Sequence, residues 1–236
     1  MPAIGRRHVK GLRREEIASA AGISASWYTL LEQGRAEVVT PRTLGAIADV
    51  LRLSRFEREH VLALARTDDD DAALRVLPPP AGLVDFVRAY PLAPAHMHTS
   101  RFDLVAWNAL TDGYLYVDEH GPTPNLLRIM VEDSRVRESW IDPDWAAVMR
   151  IMVGHFRLFY ARFGGVEFDA LAAELSAKCA TFEACWNERS VVNMNGGPTT
   201  LRHRDLGVVT FRALGFTAHE SPDLFLVLHS PIVRPI

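Results

Sequence analysis

The chain has 236 residues, of which 48% are hydrophobic and 23% are charged, and its formal net charge is −3. This composition is typical of globular proteins. The sequence contains no uncharged apolar run of about 18 residues, and residues 1–10 lack the apolar core of a signal peptide, so we expect a cytoplasmic protein. The two cysteines, Cys179 and Cys185, are too few for a disulfide framework and wrongly spaced for a zinc knuckle, so we expect two buried free thiols.

Charge is distributed unevenly along the chain. Residues 1–66 contain eleven Lys and Arg against seven Asp and Glu, a net charge of +4, whereas the other 170 residues have a net charge of −7. Four acidic residues at 68–71 and three prolines at 78–80 lie between the two parts, and proline cannot continue a helix. We therefore predict a basic domain at 1–67, a linker at 68–80 and an acidic domain at 81–236. A basic domain of this size is typical of nucleic-acid binding.

The basic domain is predicted to consist of short helices. Residues 12–21 have helical apolar spacing and end at Gly22, and Ser24 is a favourable N-cap for a second helix that extends to about Gln33. Thr40 and Pro41 predict the start of a third helix, and a capping box at 54–57 predicts the start of a fourth, which ends near residue 65. Two helices joined by a three-residue turn that begins with glycine are typical of a helix-turn-helix. The second helix has an apolar side, for which the sequence indicates Trp27, Leu30 and Leu31.

Three segments in this domain resemble the DNA-binding domain of XRE-type repressors, and more narrowly the MmyB-like branch of bacterial transcription regulators: GLRREEIA at 11–18, AGIS at 21–24 and YTLLEQGR at 28–35. The resemblance implies that the partner is double-stranded DNA, bound by a homodimer through the second helix. It also implies contacts to base edges or to phosphates from Arg13, Arg14, Ser24, Ala25, Ser26, Thr29 and Arg35. Such repressors have a further helix before this motif, but residues 1–11 contain Pro2, Gly5 and Gly11, so we expect the domain to be one helix short.

The acidic domain is predicted to be α+β. A short helical pattern at 83–90 precedes strand-like residues at 95–107, and residues 108–187 are mainly helical. The clearest helix has a broad apolar stripe and is expected to begin at Asp142 and Pro143 and to end near Phe163. Three further strands are predicted at 199–204, 208–217 and 224–230, joined by turns short enough for hairpins. The sequence therefore predicts a five-stranded antiparallel sheet covered by helices.

This domain resembles the PAS-like ligand-binding domain of MmyB-like regulators, on the residues VAWN at 105–108, Arg135, DW at 144–145, Phe182 with Trp186, and LRH at 201–203 with Gly207. The resemblance implies a small molecule held between sheet and helices. Large, flexible side chains adapt to apolar ligands, although such residues are more often plain core. We predict that the ligand is contacted by Asn108, Met130, Arg135, Met149, Met152, His155, Phe156, Phe159, Phe182, Trp186 and Phe211. The expected ligand is a mostly apolar molecule with an acidic end, such as a fatty acid, and no other cofactor is assigned.

Catalysis and metal binding have weak support in the sequence. His96 and His98 share one face of a strand, but no nearby Cys or carboxylate completes a metal-binding set. The sequence contains no common catalytic or nucleotide-binding motif, so we expect neither an enzyme nor a metal site. Two alternatives to a ligand-responsive transcription regulator stay open. One is an interaction module whose incomplete basic domain does not bind DNA, and the other is a haem or flavin PAS-type sensor.

Overall fold

A computed structural model describes residues 11–36, 39–64, 79–188, 197–218 and 221–232. The chain divides into two compact units, Met1–Arg66 and Thr67–Ile236. The acidic run at 68–71 and the segment where an additional first helix was considered, residues 1–10, lie outside the described residues. No helix in the described part of the chain is long and apolar enough to cross a membrane.

The first unit is built from helices α1 (Arg14–Ala20), α2 (Ala25–Glu32), α3 (Pro41–Val50) and α4 (Arg55–Leu64). The capping residues predicted from the sequence are confirmed. Ser24 Oγ accepts from the backbone N–H of Trp27 at 3.2 Å, and Thr40 Oγ1 accepts from that of Thr43 at 3.2 Å. The capping box at the start of α4 consists of two reciprocal side-chain to backbone hydrogen bonds between residues 54 and 57. Gly22 ends α1 with φ +71°, a conformation that strongly favours glycine.

The core of the first unit differs from the prediction for α2. Tyr28 is buried in the core cluster, and Trp27 and Leu31 pack against that cluster, whereas Leu30 is 39% exposed. Leu30, which the sequence places on the apolar side of α2, therefore lies on its exposed side. Tyr28 and Leu31 are three residues apart and share one helix face, while Leu30 is rotated by about 100° from Leu31.

The second unit contains a six-stranded antiparallel sheet in the order β2-β1-β6-β5-β4-β3. The strands are β1 (Ala95–Thr99), β2 (Leu104–Trp107), β3 (Trp140–Asp142), β4 (Pro198–His203), β5 (Gly207–Ala218) and β6 (Ser221–Pro231). The two predicted hairpins, β4–β5 and β5–β6, are confirmed. The predicted number of strands was one too low, because β3 lies within the region predicted as helical. This strand has only three residues and is recognisable by its pairing, Trp140 with Leu201 and Asp142 with Thr200, not by any periodicity.

Helices surround the sheet: α5 (Ala81–Ala89), α6 (Ala109–Leu115), α7 (Leu126–Glu132), α8 (Ser134–Ser139), α9 (Trp145–Phe163), α10 (Val166–Lys178) and α11 (Ala180–Asn187), with a short 3-10 helix at Val117–Glu119. The predicted helix at 142–163 begins later than expected. Asp142 belongs to β3, and Asp144 is the N-cap that accepts from the backbone N–H of Ala147 at 2.8 Å. Both cysteines are buried and free, as predicted.

Strand β1 separates two hydrophobic layers. Ala95 and Met97 face α5 and pack with Val87, whereas the alternate residues His96 and His98 lie on the opposite face of the strand. The main core cluster fills the space between α6–α11 and the sheet. The two histidines are therefore placed on the side of the sheet that faces most of the helices.

Candidate DNA-binding surface and ligand cavity

Helix α2 presents two exposed hydroxyl groups at its N-terminal end. Ser24 and Ser26 are exposed, and their Oγ atoms are 3.2 Å apart. Thr29 and Ala25 are half-buried, and Thr29 Oγ1 donates to the carbonyl oxygen of Ala25 at 2.9 Å. The hydroxyl proton of Thr29 is thus already used within the helix. Of the side chains predicted at base edges, Ser24 and Ser26 are the more accessible pair.

Arg14 connects the two helices of the motif. Its Nε donates to Glu32 Oε2 at 2.5 Å, while 62% of the Arg14 side chain stays exposed. This bond uses only the Nε–H of the guanidinium, so a phosphate would bind through the Nη groups while the charge is shared with Glu32. The sequence analysis missed this ion pair, because residues 18 apart in sequence become neighbours only when α1 packs on α2.

The remaining predicted phosphate contacts lie on the surface of the first unit. Arg13 and Arg35 are exposed. The backbone N–H of Arg13 donates to Glu16 Oε2 at 2.7 Å, so that amide is already satisfied within the protein. A contact from Arg13 to a phosphate would therefore come from its side chain.

The second unit contains a cavity of about 290 Å³ between the sheet and helices α6, α7 and α9. Met130 and Met152, which the sequence predicted as ligand-binding, lie on its wall. The described residues of the wall are His96, His98, Phe102, Tyr114, Leu115, Leu126, Met130, Trp140, Pro143, Val148, Ile151, Met152, Gly197, Pro198, Thr199, Ala213, Val227 and His229. Within the described residues, this wall includes no Lys, Arg, Asp or Glu.

Most predicted apolar contacts are core residues outside this wall. Met149, Phe156 and Phe182 are fully buried in the main core cluster. Phe159 packs on Phe225 of β6 with ring centroids 4.2 Å apart. Two further predicted aromatic residues are also not part of the wall. The ring centroid of Trp186 lies 6.3 Å from that of Phe182, and the ring centroid of Phe211 lies 6.2 Å from that of His229. The apolar stripe of α9 therefore mostly builds the core.

Asn108 has a structural role as the N-cap of α6. Its Oδ1 accepts from the backbone N–H of Ala95 at 3.0 Å and from that of Thr111 at 2.9 Å. Its Nδ2 donates to the carbonyl oxygens of Tyr90 and Ala93, each at 2.8 Å. These bonds occupy the hydrogen-bonding capacity of the amide. The structure thus places Asn108 at a junction of three chain segments, away from the cavity wall.

Arg135 also lies outside the cavity. Its exposed guanidinium pairs with Asp133 at 2.7 Å and Glu119 at 2.9 Å, and it stacks over the Tyr116 ring at 4.1 Å. Hydrogen bonding from Arg135 lowers the pKa of Asp133 to about 2. Because Arg135 is already paired with two carboxylates at the surface, it does not provide the predicted anchor for an acidic headgroup in this cavity.

His155, the third predicted polar contact, is half-buried on α9 beside the ring of Phe159. Burial, and then the neighbouring His98, lower its pKa to about 4. It is not part of the cavity wall.

Polar groups on the cavity wall come mainly from residues that the sequence analysis did not assign to the ligand. His96, His98 and His229 on the paired strands β1 and β6, together with Tyr114 and Trp140, form what we name the polar wall. The His96 ring lies 5.8 Å from that of His98 and 6.1 Å from that of His229. The Tyr114 ring lies 6.2 Å from that of His229 and 5.9 Å from that of Trp140. The described residues contain no group of three side chains arranged to hold a metal ion.

Comparison with protein-family profiles gave two matches. Residues 79–232 match the MmyB-like transcription regulator ligand binding domain, and residues 5–61 match a helix-turn-helix domain. No curated protein matched the chain. The larger match includes the whole cavity wall, and the smaller one includes α1 and α2.

Proposed function

The chain belongs to the MmyB-like transcription regulators, and from this premise we propose that it binds DNA as a homodimer through α2 and changes its DNA affinity when an apolar, fatty-acid-like molecule occupies the cavity. The observation that carries the proposal is the cavity of about 290 Å³, because it lies within the ligand-binding domain and most of its wall is apolar. Cavities of about this size and character are typical of small-molecule sites.

In the proposed DNA complex, Ser24 and Ser26 lie at base edges, and Arg13, Arg14 and Arg35 lie at phosphates. Serine hydroxyls contact several different bases, so the direct discrimination by α2 is modest. The phosphate contacts supply affinity that depends on salt but not on sequence. The two DNA-binding domains of a dimer would meet half-sites about 34 Å apart. Ligand binding acts by changing the relative placement of these two domains.

Arg14 gives the sharpest test of the DNA-binding surface. Arg14→Ala removes one phosphate contact, so affinity should fall on every DNA sequence and the salt dependence should flatten by about one unit of slope. Glu32→Gln should raise the affinity, because it removes the carboxylate that partly neutralises the Arg14 guanidinium. Arg212→Ala, which makes the same charge change at an exposed position of β5, is the control and should leave the slope unchanged. Equal effects of Arg14→Ala and Arg212→Ala would contradict the assigned surface.

Fluorescence anisotropy with a DNA fragment from upstream of the coding region measures these affinities. No binding to any DNA would favour an interaction module instead. A visible absorption band of the purified protein would favour a haem or flavin sensor.

A further inference from the structure

The hydrogen bonds of two histidines in the polar wall fix which ring nitrogen carries the proton. His98 Nδ1 lies 2.7 Å from the carbonyl oxygen of Thr99, and His229 Nδ1 lies 3.1 Å from that of Pro94. A carbonyl oxygen only accepts hydrogen bonds, so each Nδ1 is the donor. In the neutral rings, Nε2 of both histidines is therefore a lone-pair acceptor.

These imidazoles are uncharged at neutral pH. Burial lowers the pKa of His98 and of His229 to about 4, and burial with repulsion from its two neighbours lowers the pKa of His96 far below its ordinary value. The hydrogen bond to the Thr99 carbonyl and the charge of Asp103 raise the pKa of His98, but they do not outweigh burial.

Two titratable groups on the neighbouring helices are uncharged at neutral pH. His155 of α9 faces His98 and is itself held neutral by burial. Tyr114 of α6 faces His229, and burial raises the pKa of its hydroxyl. The titratable side chains of the polar wall are therefore uncharged at neutral pH.

Two buried nitrogen atoms of the polar wall have no hydrogen-bond partner within the described structure, namely His96 Nδ1 and Trp140 Nε1. Indole Nε1–H is always a donor. Unsatisfied buried polar groups are rare and costly. Both atoms have almost no accessible surface, so neither one faces a molecule bound in the cavity. The polar wall thus offers two acceptors, His98 Nε2 and His229 Nε2, together with the hydroxyl group of Tyr114, which can donate or accept.

We propose that the polar wall is a headgroup subsite that binds an uncharged O–H group at the end of an apolar chain. The inference rests on the proposed function, since it defines the ligand of the same cavity. An O–H group donates to an imidazole Nε2 and accepts from the Tyr114 hydroxyl, whose ring lies beside that of His229. The source is either the hydroxyl of a long-chain alcohol or the protonated carboxyl of a fatty acid.

A carboxylate fits this subsite poorly. It has no hydrogen to donate, so its oxygens would face the imidazole lone pairs, and it would carry a charge into a site where the wall offers no cation among the described residues. A fatty acid therefore takes up one proton from water before it binds, and no proton moves to or from the protein.

Calorimetric titration of the full chain with decan-1-ol, decanoic acid and decane tests the proposal. Between about pH 6 and 8 the affinity for the alcohol should be constant, whereas the affinity for the acid should fall about tenfold for each pH unit, because its neutral fraction falls by that factor. Decane, which lacks the head, should bind more weakly than decan-1-ol at every pH. Affinity for decanoic acid that is independent of pH, or that exceeds that of the alcohol at pH 8, would overturn the proposal.

Two variants locate the head on the polar wall. His229→Phe keeps a ring but removes the Nε2 acceptor, so the affinity for decan-1-ol should fall about three- to tenfold while that for decane is unchanged. Met152→Leu, on the apolar wall, is the matched control and should change both affinities by the same factor. His98→Phe provides a second measurement if His229→Phe does not fold. Equal losses for alcohol and alkane in both histidine variants would show that the head lies elsewhere.

The same titrations separate this proposal from the proposed function. If decan-1-ol binds as expected but leaves DNA affinity unchanged, the subsite stands and the regulatory function fails. If none of the three compounds binds, both fail.

Discussion

Replacement of Asn108 by Asp distinguishes a structural amide from a ligand contact. In Asn108→Asp the Oδ1 acceptor is retained, but the group that donates to the carbonyl oxygens of Tyr90 and Ala93 becomes a second oxygen. Two hydrogen bonds are lost at about 1 kcal/mol each, and a charged carboxylate is held at 4% exposure against two carbonyl dipoles. We expect the free energy of unfolding at pH 7 to fall by about 3–5 kcal/mol.

The loss should depend on pH with a definite sign. Burial beside two carbonyl oxygens favours the protonated carboxyl, which again donates one hydrogen bond, so the folded-state pKa is raised above the unfolded one. The loss in free energy of unfolding is therefore largest at neutral pH. It shrinks as pH falls toward about 4, the pKa of the carboxyl group in the unfolded state.

Urea unfolding at pH 7 and near pH 4.5, together with thermal unfolding at pH 7, measures both effects; circular dichroism follows each transition. At pH 7 the melting temperature should fall by about 10 °C for a unit of this size. Wild-type stability combined with weaker ligand binding would refute the structural assignment and restore Asn108 as a ligand contact.

Three further predictions follow from close contacts and titratable groups. A Cβ at Gly113 would clash with His203 Nε2, so Gly113→Ala should lower the free energy of unfolding by about 2–4 kcal/mol. Gly82→Ala is the control, because a Cβ there meets nothing within 4 Å, and it should raise the free energy of unfolding slightly. Chemical denaturation measures both variants, and equal effects would contradict the close packing at Gly113. Asp133→Asn keeps a capping side chain but removes the carboxyl group whose pKa is about 2, so the free energy of unfolding at pH 7 should fall by about 1–2 kcal/mol. In an acid titration, the difference from wild type should disappear as pH falls toward 2. The pKa of His229 is about 4 in the folded state against 6.5 in the unfolded state, so wild-type stability should fall as pH drops from 6.5 to 4. His229→Phe should reduce that loss by about 2 kcal/mol at pH 4.5. Parallel stability profiles of the two proteins against pH would contradict a neutral His229.

Local sequence signals predicted the elements well where one or two residues determine the structure. The N-caps Ser24 and Thr40 and the turn at Gly22 depend on neighbouring residues alone, and each is found where expected. The hairpins β4–β5 and β5–β6 follow likewise from short turns between strand-like segments. Strand β3 could not be predicted, because its three residues become a strand only by pairing with β4.

The candidate site was harder to predict, since side-chain type alone does not separate a cavity wall from a core. Met152 and Phe156 lie on the same apolar stripe of α9, yet only Met152 reaches the cavity. The alternation of His96 and His98 with Ala95 and Met97 was a usable signal for a polar wall, but it was considered only for metal binding. His229 gave no such signal, because its position beside His96 depends on the pairing of β6 with β1.

The most direct measurement of the central claim is the DNA affinity of the full chain with and without a ligand in the cavity. The affinity for the upstream DNA fragment, measured by anisotropy titration, should change several-fold when decan-1-ol is added. Ala213→Trp, which fills the cavity from β5, should abolish this response while leaving DNA binding intact. DNA affinity that is the same with and without ligand, or a response that persists in Ala213→Trp, would contradict the account.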